Sequence, residues 1–229
     1  MKRITSQNAH KDGLSLFVQH SEYEAGENVL KGPCHVIEDT IIDDVQGIFD
    51  GGIDIRGTDV CIRRCVIRNV GKAMLCYEPS SILIEDSIIE DFCRRAPEAK
   101  LGANVTLRSC VIRNWRWRRG ADRSFGAWAH LGGSIRAESC VFWQDSLLDW
   151  RVIPDLTGHI GQMFNDDDMR ITNLIPGAMR GLTAGPGGSV SAVHCWRNSP
   201  LIRIERHEGP WMPEKEALEL IAKLEVLLA

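Results

Sequence analysis

Leu83-Ile84-Glu85-Asp86-Ser87-Ile88-Ile89 is one of five segments that share a single pattern. The others are Val36-Ile37-Glu38-Asp39-Thr40-Ile41-Ile42, Cys61-Ile62-Arg63-Arg64-Cys65-Val66-Ile67, Thr106-Leu107-Arg108-Ser109-Cys110-Val111-Ile112 and Arg136-Ala137-Glu138-Ser139-Cys140-Val141-Phe142. In each, an apolar anchor is followed by two mostly polar residues, a small Cys, Ser or Thr, and two apolar residues. The anchors Ile37, Ile62, Ile84, Leu107 and Ala137 stand 25, 22, 23 and 30 residues apart. Fainter copies follow at Ala192-Val193-His194-Cys195-Trp196 and at Ile171-Thr172-Asn173-Leu174. The runs are short, rich in Val and Ile, and bounded by turn residues, which predicts strands. A period in the low twenties is too short for helical repeat units, and the leucine-rich motif is absent. It fits the coils of a parallel β-helix. Coils stacked at about 4.8 Å align equivalent side chains in columns. One inward column would be Thr40, Cys65, Ser87, Cys110, Cys140 and Cys195, so most cysteines read as small buried hydrophobes.

The flanks differ from this core. Residues 1–33 hold one strand, Leu14 to Val18, and residues 143–188 are irregular. From about 213 to 229 the pattern is that of an amphipathic helix. Pro213 stands near its start, Glu214 and Glu216 in its first turn, and Ala217, Leu220, Ile221, Leu224, Leu227 and Leu228 on one face. A solenoid must cover its open ends, so this helix is read as a cap or a lateral brace, with a homo-oligomer contact as the lesser reading. The predicted fold class is all-β. It is a right-handed, single-stranded parallel β-helix with a C-terminal amphipathic helix, one domain over residues 1–229, its repeat core at about 34–200.

Composition narrows the function classes. The chain has 229 residues, with 27 basic and 31 acidic side chains and a net charge of −4. That balance argues against general nucleic-acid binding, which favours a basic domain. No apolar run approaches the length of a transmembrane helix, so no membrane partner is expected. The first ten residues show no apolar signal-peptide core, which fits either a cytoplasmic protein or a secreted one whose signal has been removed. The eight cysteines form no CxxC pair and have no histidines at finger spacing, which argues against structural zinc.

Chemistry-bearing residues gather in the first coils. Glu38, Asp50 and Asp54 would lie on neighbouring coils, and three carboxylate ligands with open positions suit Ca²⁺. Turn aspartates and a solvated glutamate are the plainer reading. Lys72, Arg95 and Lys100 each follow a strand and could share a face near these carboxylates, as a polyanionic substrate needs. The plainer reading is again a solvated face. Trp115-Arg116-Trp117-Arg118-Arg119 could stack on sugars or simply pack. Asp166-Asp167-Asp168 reads as an exposed loop and His194 as structural.

Four of these stretches carry a resemblance. Ile37-Glu38-Asp39-Thr40 stands where polysaccharide lyase family 1, the pectate lyases, has Ile-Asp-His-Cys. Asp50-Gly51-Gly52-Ile53-Asp54-Ile55 is similar to the family's Asp-Gly-x-x-Asp-Ile. Gly71-Lys72-Ala73-Met74-Leu75 resembles its Lys-x-Met-Leu, and Arg95-Ala96-Pro97-Glu98-Ala99-Lys100-Leu101-Gly102 its Arg-x-Pro-x-x-Arg-x-Gly. The motifs keep the family's order from Ile37 to Phe142, in what looks like a short member lacking N-terminal coils. The asparagine column common in such folds is replaced by Asp39, Arg64, Asp86, Ser109 and Ser139. The resemblance implies an enzyme, a pectate lyase cleaving α-1,4-polygalacturonate by Ca²⁺-dependent β-elimination. Glu38, Asp50 and Asp54 would hold Ca²⁺, Lys72 and Lys100 would bind substrate carboxylates, and Arg95 would take the C5 proton with Lys72 also in the catalytic set. The partner is then an acidic polysaccharide or oligogalacturonide. Arginine titrates above about 12, so an alkaline optimum is expected. The alternative is the same fold binding acidic polysaccharide without cleaving it.

Overall fold

A computed structural model of the chain describes residues 2–5, 14–17, 35–43, 51–92, 95–115, 125–145 and 179–228. The strands described fall into seven rungs of three. The first rung is β1 (Lys2–Thr5), β2 (Leu14–Phe17) and β3 (His35–Glu38), and the second β4 (Thr40–Asp43), β5 (Gly51–Arg56) and β6 (Val60–Arg63). The third is β7 (Val66–Val70), β8 (Lys72–Tyr77) and β9 (Ser80–Glu85), and the fourth β10 (Ile88–Phe92), β11 (Glu98–Lys100) and β12 (Ala103–Arg108). The fifth is β13 (Val111–Arg113), β14 (Ala127–Ala129) and β15 (Ser134–Glu138), and the sixth β16 (Val141–Trp143), β17 (Met179–Ala184) and β18 (Ser189–Val193). The last is β19 (Trp196–Arg197), β20 (Ile202–Ile204) and β21 (His207–Glu208). Helix α1 (Glu214–Glu225) follows. Each strand pairs in parallel with the one three places on, giving three seven-stranded parallel sheets that begin with β1, β2 and β3.

The register follows the repeat. In the third sheet Ile37, Ile62, Ile84, Leu107, Ala137 and Ala192 are successive partners. The copy at Ala192 is therefore the rung after Ala137, and the stretch at Ile171 to Leu174 lies outside the described residues. The column of Thr40, Cys65, Ser87, Cys110, Cys140 and Cys195 is buried throughout. Each member also closes its own corner. Thr40 Oγ1 and Ser87 Oγ donate to the carbonyl two residues back at 2.9 and 2.8 Å. Cys65, Cys110 and Cys140 do so through Sγ at 3.3 Å. A small hydroxyl or thiol is needed because it must be apolar enough to bury and still satisfy a carbonyl turned inward by the corner. The residue before each, Asp39, Arg64, Asp86, Ser109, Ser139 or His194, has φ between 46° and 52°. That left-handed corner takes over the place of the missing asparagine column, and its amides donate to the next rung, as from Ser109 to the Glu138 carbonyl at 2.9 Å.

The two apolar residues that close each repeat have separate destinations. Ile42, Ile67, Ile89, Ile112 and Phe142 point into the core. Their neighbours Val66, Ile88, Val111 and Val141 point outward from the first sheet yet are buried, because α1 lies across them through Ala217 and Leu224, with Leu220, Ile221 and Leu227 at its flank. The helix is thus a lateral brace. Covering an outward aliphatic column is worth roughly 1.5–3 kcal/mol per fully buried side chain. Trp115 is buried too, its ring edge-on to Phe142 with centroids 6.5 Å apart, so this tryptophan packs and does not offer a sugar platform. Residues 116–119 and 166–168 lie outside the described residues.

Candidate functional site

Strand alternation divides the second sheet cleanly. Ile53, Ile55, Met74, Cys76, Ala99, Ala127, Ala129 and Leu182 face the core, so the residues between them stand on the outer face. Asp54, Leu75, Glu98, Trp128 and Thr183 form one lateral column there, each the register partner of the next. Arg56, Tyr77 and Lys100 form the adjacent column. Lys72 is the partner of Gly51, and the Arg95 carbonyl accepts from the Ala73 amide at 3.0 Å. Asp54, Lys72, Arg95 and Lys100 therefore reach one sheet on three successive rungs. Asp50 lies outside the described residues.

Glu98 is the centre of this face. Its side chain is 2% exposed. Its Oε1 accepts from Arg95 Nη1 at 2.6 Å and stands 2.9 Å from His130 Nε2 and 4.0 Å from Lys100 Nζ. Burial alone would push the Glu98 carboxyl up. The hydrogen bond from His130 and the charge and hydrogen bond of Arg95 outweigh it and bring it down to about 2. Aromatic rings brace the cations. The Arg95 guanidinium lies 4.1 Å from the Trp128 ring centroid, and Trp128 stacks between Phe125 at 5.0 Å and His130 at 3.8 Å. Tyr77 carries Lys100 at 4.0 Å and Arg56 at 5.0 Å from its ring. Burial, helped by the Glu98 charge, pushes the Tyr77 phenol up to about 12, and burial lowers the Lys100 ammonium. Thr183 Oγ1 is buried without a hydrogen-bond partner, which leaves a costly unmet polar group beside Trp128. Glu98, Trp128 and His130 were not singled out from sequence, although Ala127-Trp128-Ala129-His130 alternates small and aromatic residues as a strand with one buried face does.

Of the three expected calcium ligands, Glu38 and Asp54 lie on different sheets, and Asp50 is outside the described residues. Glu38 closes β3 on the third sheet, while Asp54 lies on the second. Glu38 bonds to Arg63 Nε at 2.7 Å and Arg64 Nη2 at 3.1 Å, and the Arg63 guanidinium holds its carboxyl below the usual range. Asp54 accepts Arg56 Nη2 at 2.7 Å. No three His, Cys, Asp or Glu side chains gather as a metal site among the described residues. Glu38 and Asp54, each held by arginines on separate sheets, do not form a calcium site with one another.

Glu38 belongs instead to a column of alternating sign. Glu38, Arg63, Glu85, Arg108 and Glu138 are successive partners on the outer face of the third sheet. Arg108 reaches Glu138 at 3.0 Å and Glu85 at 3.9 Å. Asp43, Arg68, Glu90 and Arg113 repeat the arrangement on the first sheet. Stacking at strand spacing makes like charges in a column unfavourable, so alternation supports the register. Arg108→Glu would set three carboxylates side by side. Its melting temperature is expected to fall at low salt and to recover largely at about 1 M salt, where the screening length is about 3 Å. An unchanged melting curve at low salt would remove this role.

The remaining candidate is structural. His194 occupies a corner and bonds Glu216 of α1 at 2.8 Å. Compared with known proteins, the chain matches no family model, no curated protein and no solved structure.

Proposed function

We propose that the chain is a right-handed, single-stranded parallel β-helix whose second sheet binds an acidic polysaccharide and cleaves it by β-elimination, with α-1,4-polygalacturonate as substrate. Right-handedness is the general rule for parallel crossovers. The observation that supports the enzyme is the convergence of Asp54, Lys72, Arg95 and Lys100 on successive strands of one sheet, in the order of the motifs that suggested it.

The chemistry needs cations. The C5 hydrogen lies α to a carboxylate and is barely acidic. Lys72 and Lys100 would neutralise that carboxylate, and Arg95 would stabilise the enolate-like charge as it develops. The C4–O bond then breaks and leaves a C4=C5 double bond in the sugar at the new end. The second reading, binding without cleavage, is favoured by one observation: Arg95 is buried and committed to Glu98, so it is poorly placed to surrender a proton.

The test is ultraviolet absorbance of unsaturated product from polygalacturonate, with Ca²⁺, with EDTA, and with Arg95→Ala. Product that requires intact Arg95 is expected, and the EDTA arm reads the calcium dependence that the resemblance implies. No product, together with retention on a polygalacturonate column, would assign the binding reading. Neither product nor retention would end both.

A further inference from the structure

We propose that His130, oriented by Glu98, takes the C5 proton, while Arg95 stays a fixed cation. This rests on the lyase reading of the second sheet and names a proton acceptor different from the one the resemblance implies.

Arg95 is badly suited to be a base. A guanidinium titrates above about 12 even when free in water. Here it is buried against a buried carboxylate at 2.6 Å, so losing its proton would leave the Glu98 charge with one partner fewer in a dry site. His130 has the opposite setting. Its Nε2 lies 2.9 Å from the Glu98 carboxylate, which can only accept, so the proton belongs on Nε2 and the Nδ1 lone pair is left as the basic position. A carboxylate holding one imidazole nitrogen while the other works is a recurrent device for fixing tautomer and direction.

Position supports the same assignment. Ala99 pairs with Ala129, so His130 follows on the strand beside Lys100, and its amide donates to the Ala99 carbonyl at 3.0 Å. Lys100 is the cation expected to hold the uronate carboxylate, whose α-carbon carries the proton to be removed. The base would then stand about one strand spacing, roughly 4.8 Å, from the carboxylate's anchor. The ring is fixed by stacking on Trp128 at 3.8 Å and 10°. Gly185 on the next rung keeps that space open, since a Cβ there would meet Trp128 Nε1 at 2.9 Å and His130 Cβ at 3.1 Å. Among the described residues, the charged groups around the imidazole are Glu98, Lys100 and Arg95 from the preceding rung, while the next rung presents uncharged Gly185 and Thr183 and sets the Arg180 guanidinium 5.2 Å from the Phe125 ring centroid, on the far side of Trp128. Tyr77, the phenol of this face, titrates too high to serve near neutrality.

In the step, Nδ1 takes the C5 proton and the C5–H electron pair becomes the C4=C5 double bond. The C4–O bond breaks, and the leaving oxygen recovers a proton from the imidazolium, which restores the neutral ring.

The experiment follows unsaturated product from polygalacturonate against pH for wild type, His130→Gln and His130→Ala, with circular dichroism of each. Glutamine keeps a donor for Glu98 and has no basic nitrogen. Wild type is expected to show an acid limb that both variants lack. Both variants should lose about 10²- to 10⁴-fold in kcat with KM within about threefold, and free imidazole should restore part of the His130→Ala rate. An active wild type whose only limb is alkaline, or a His130→Gln variant with kcat within about threefold of wild type, would overturn the assignment and leave the lyase standing. Should a variant fail to fold, the wild-type profile alone decides. An inactive wild type would end the lyase reading and this inference with it.

Discussion

Glu98→Ala is expected to lower the free energy of unfolding by about 3–5 kcal/mol, the usual loss when one member of a buried charge pair is removed and the other stays behind. The stranded group is Arg95, whose side chain is 7% exposed. His130 loses its partner in the same substitution. The ionised carboxylate also makes stability depend on pH. Its folded value of about 2 lies below the ordinary 4.5, so the unfolded chain takes up a proton first as pH falls. The stabilisation is fully present above about pH 4.5 and is lost on the way down to about 2. A shift of this size corresponds to about 3 kcal/mol at neutral pH. Urea unfolding at pH 7 and pH 3 should therefore show a steep acid loss in wild type and a shallower one in Glu98→Gln, which keeps the shape without the charge. A Glu98→Ala variant within about 1 kcal/mol of wild type, or an acid loss unchanged in Glu98→Gln, would refute the central place given to this residue.

Gly188→Ala is expected to destabilise the fold by about 3 kcal/mol. An added Cβ would sit 2.2 Å from the Ala129 carbonyl oxygen and 2.4 Å from its carbon. The equivalent glycine one rung earlier, Gly133, would meet the Ala99 oxygen at 2.3 Å. These neighbours are backbone atoms of fully buried strand residues, so relief needs the rungs to part and not a side chain to turn. Neither glycine has a positive φ, and the loss is therefore one of space alone. Gly209→Ala makes the control. It has φ 72° and nothing within 4 Å of the added carbon, so its loss should stay near the roughly 1–2 kcal/mol of a left-handed L residue. Thermal or urea unfolding of the two variants decides, and a Gly209 loss equal to or larger than the Gly188 loss would refute the steric account.

Much of the architecture is written in local pattern. The recurring pattern anchored at Ile37, Ile62, Ile84, Leu107 and Ala137 sets which residues stack, because parallel pairing with inward and outward faces fixed leaves little freedom of register, and differences in turn length are taken up between strands. The Thr, Ser and Cys column is legible for the same reason: one small donor follows each left-handed corner between the third sheet and the first. The order of Asp54, Lys72, Arg95 and Lys100 along the chain likewise foretells their meeting on one sheet, since Asp54, Lys72 and Lys100 open or lie within the second strand of their rungs and Arg95 stands three residues before it.

Other features needed the tertiary structure. Glu38 and Asp54 sit 16 residues apart in the chain, a spacing that allows shared ligation, but the corner at Asp39 leaves Glu38 on the third sheet while Asp54 forms in the second. The apolar face of the last helix is plain in the sequence, and its choice of the first sheet's side over an open end depends on the outward Val66, Ile88, Val111 and Val141. Nothing in the local sequence marks Glu98, which stands between Pro97 and Ala99. Its role comes from burial and from the arrival of Arg95 and His130 at a single oxygen, and a shared acceptor is a property of packing that no spacing encodes. The repeat by itself thus determined the rungs, corners and inward columns, because each depends on residues within one turn of chain. Packing between rungs alone decided which charges are paired, which are buried and which side chains meet at the site, because those depend on distances that backbone periodicity leaves open.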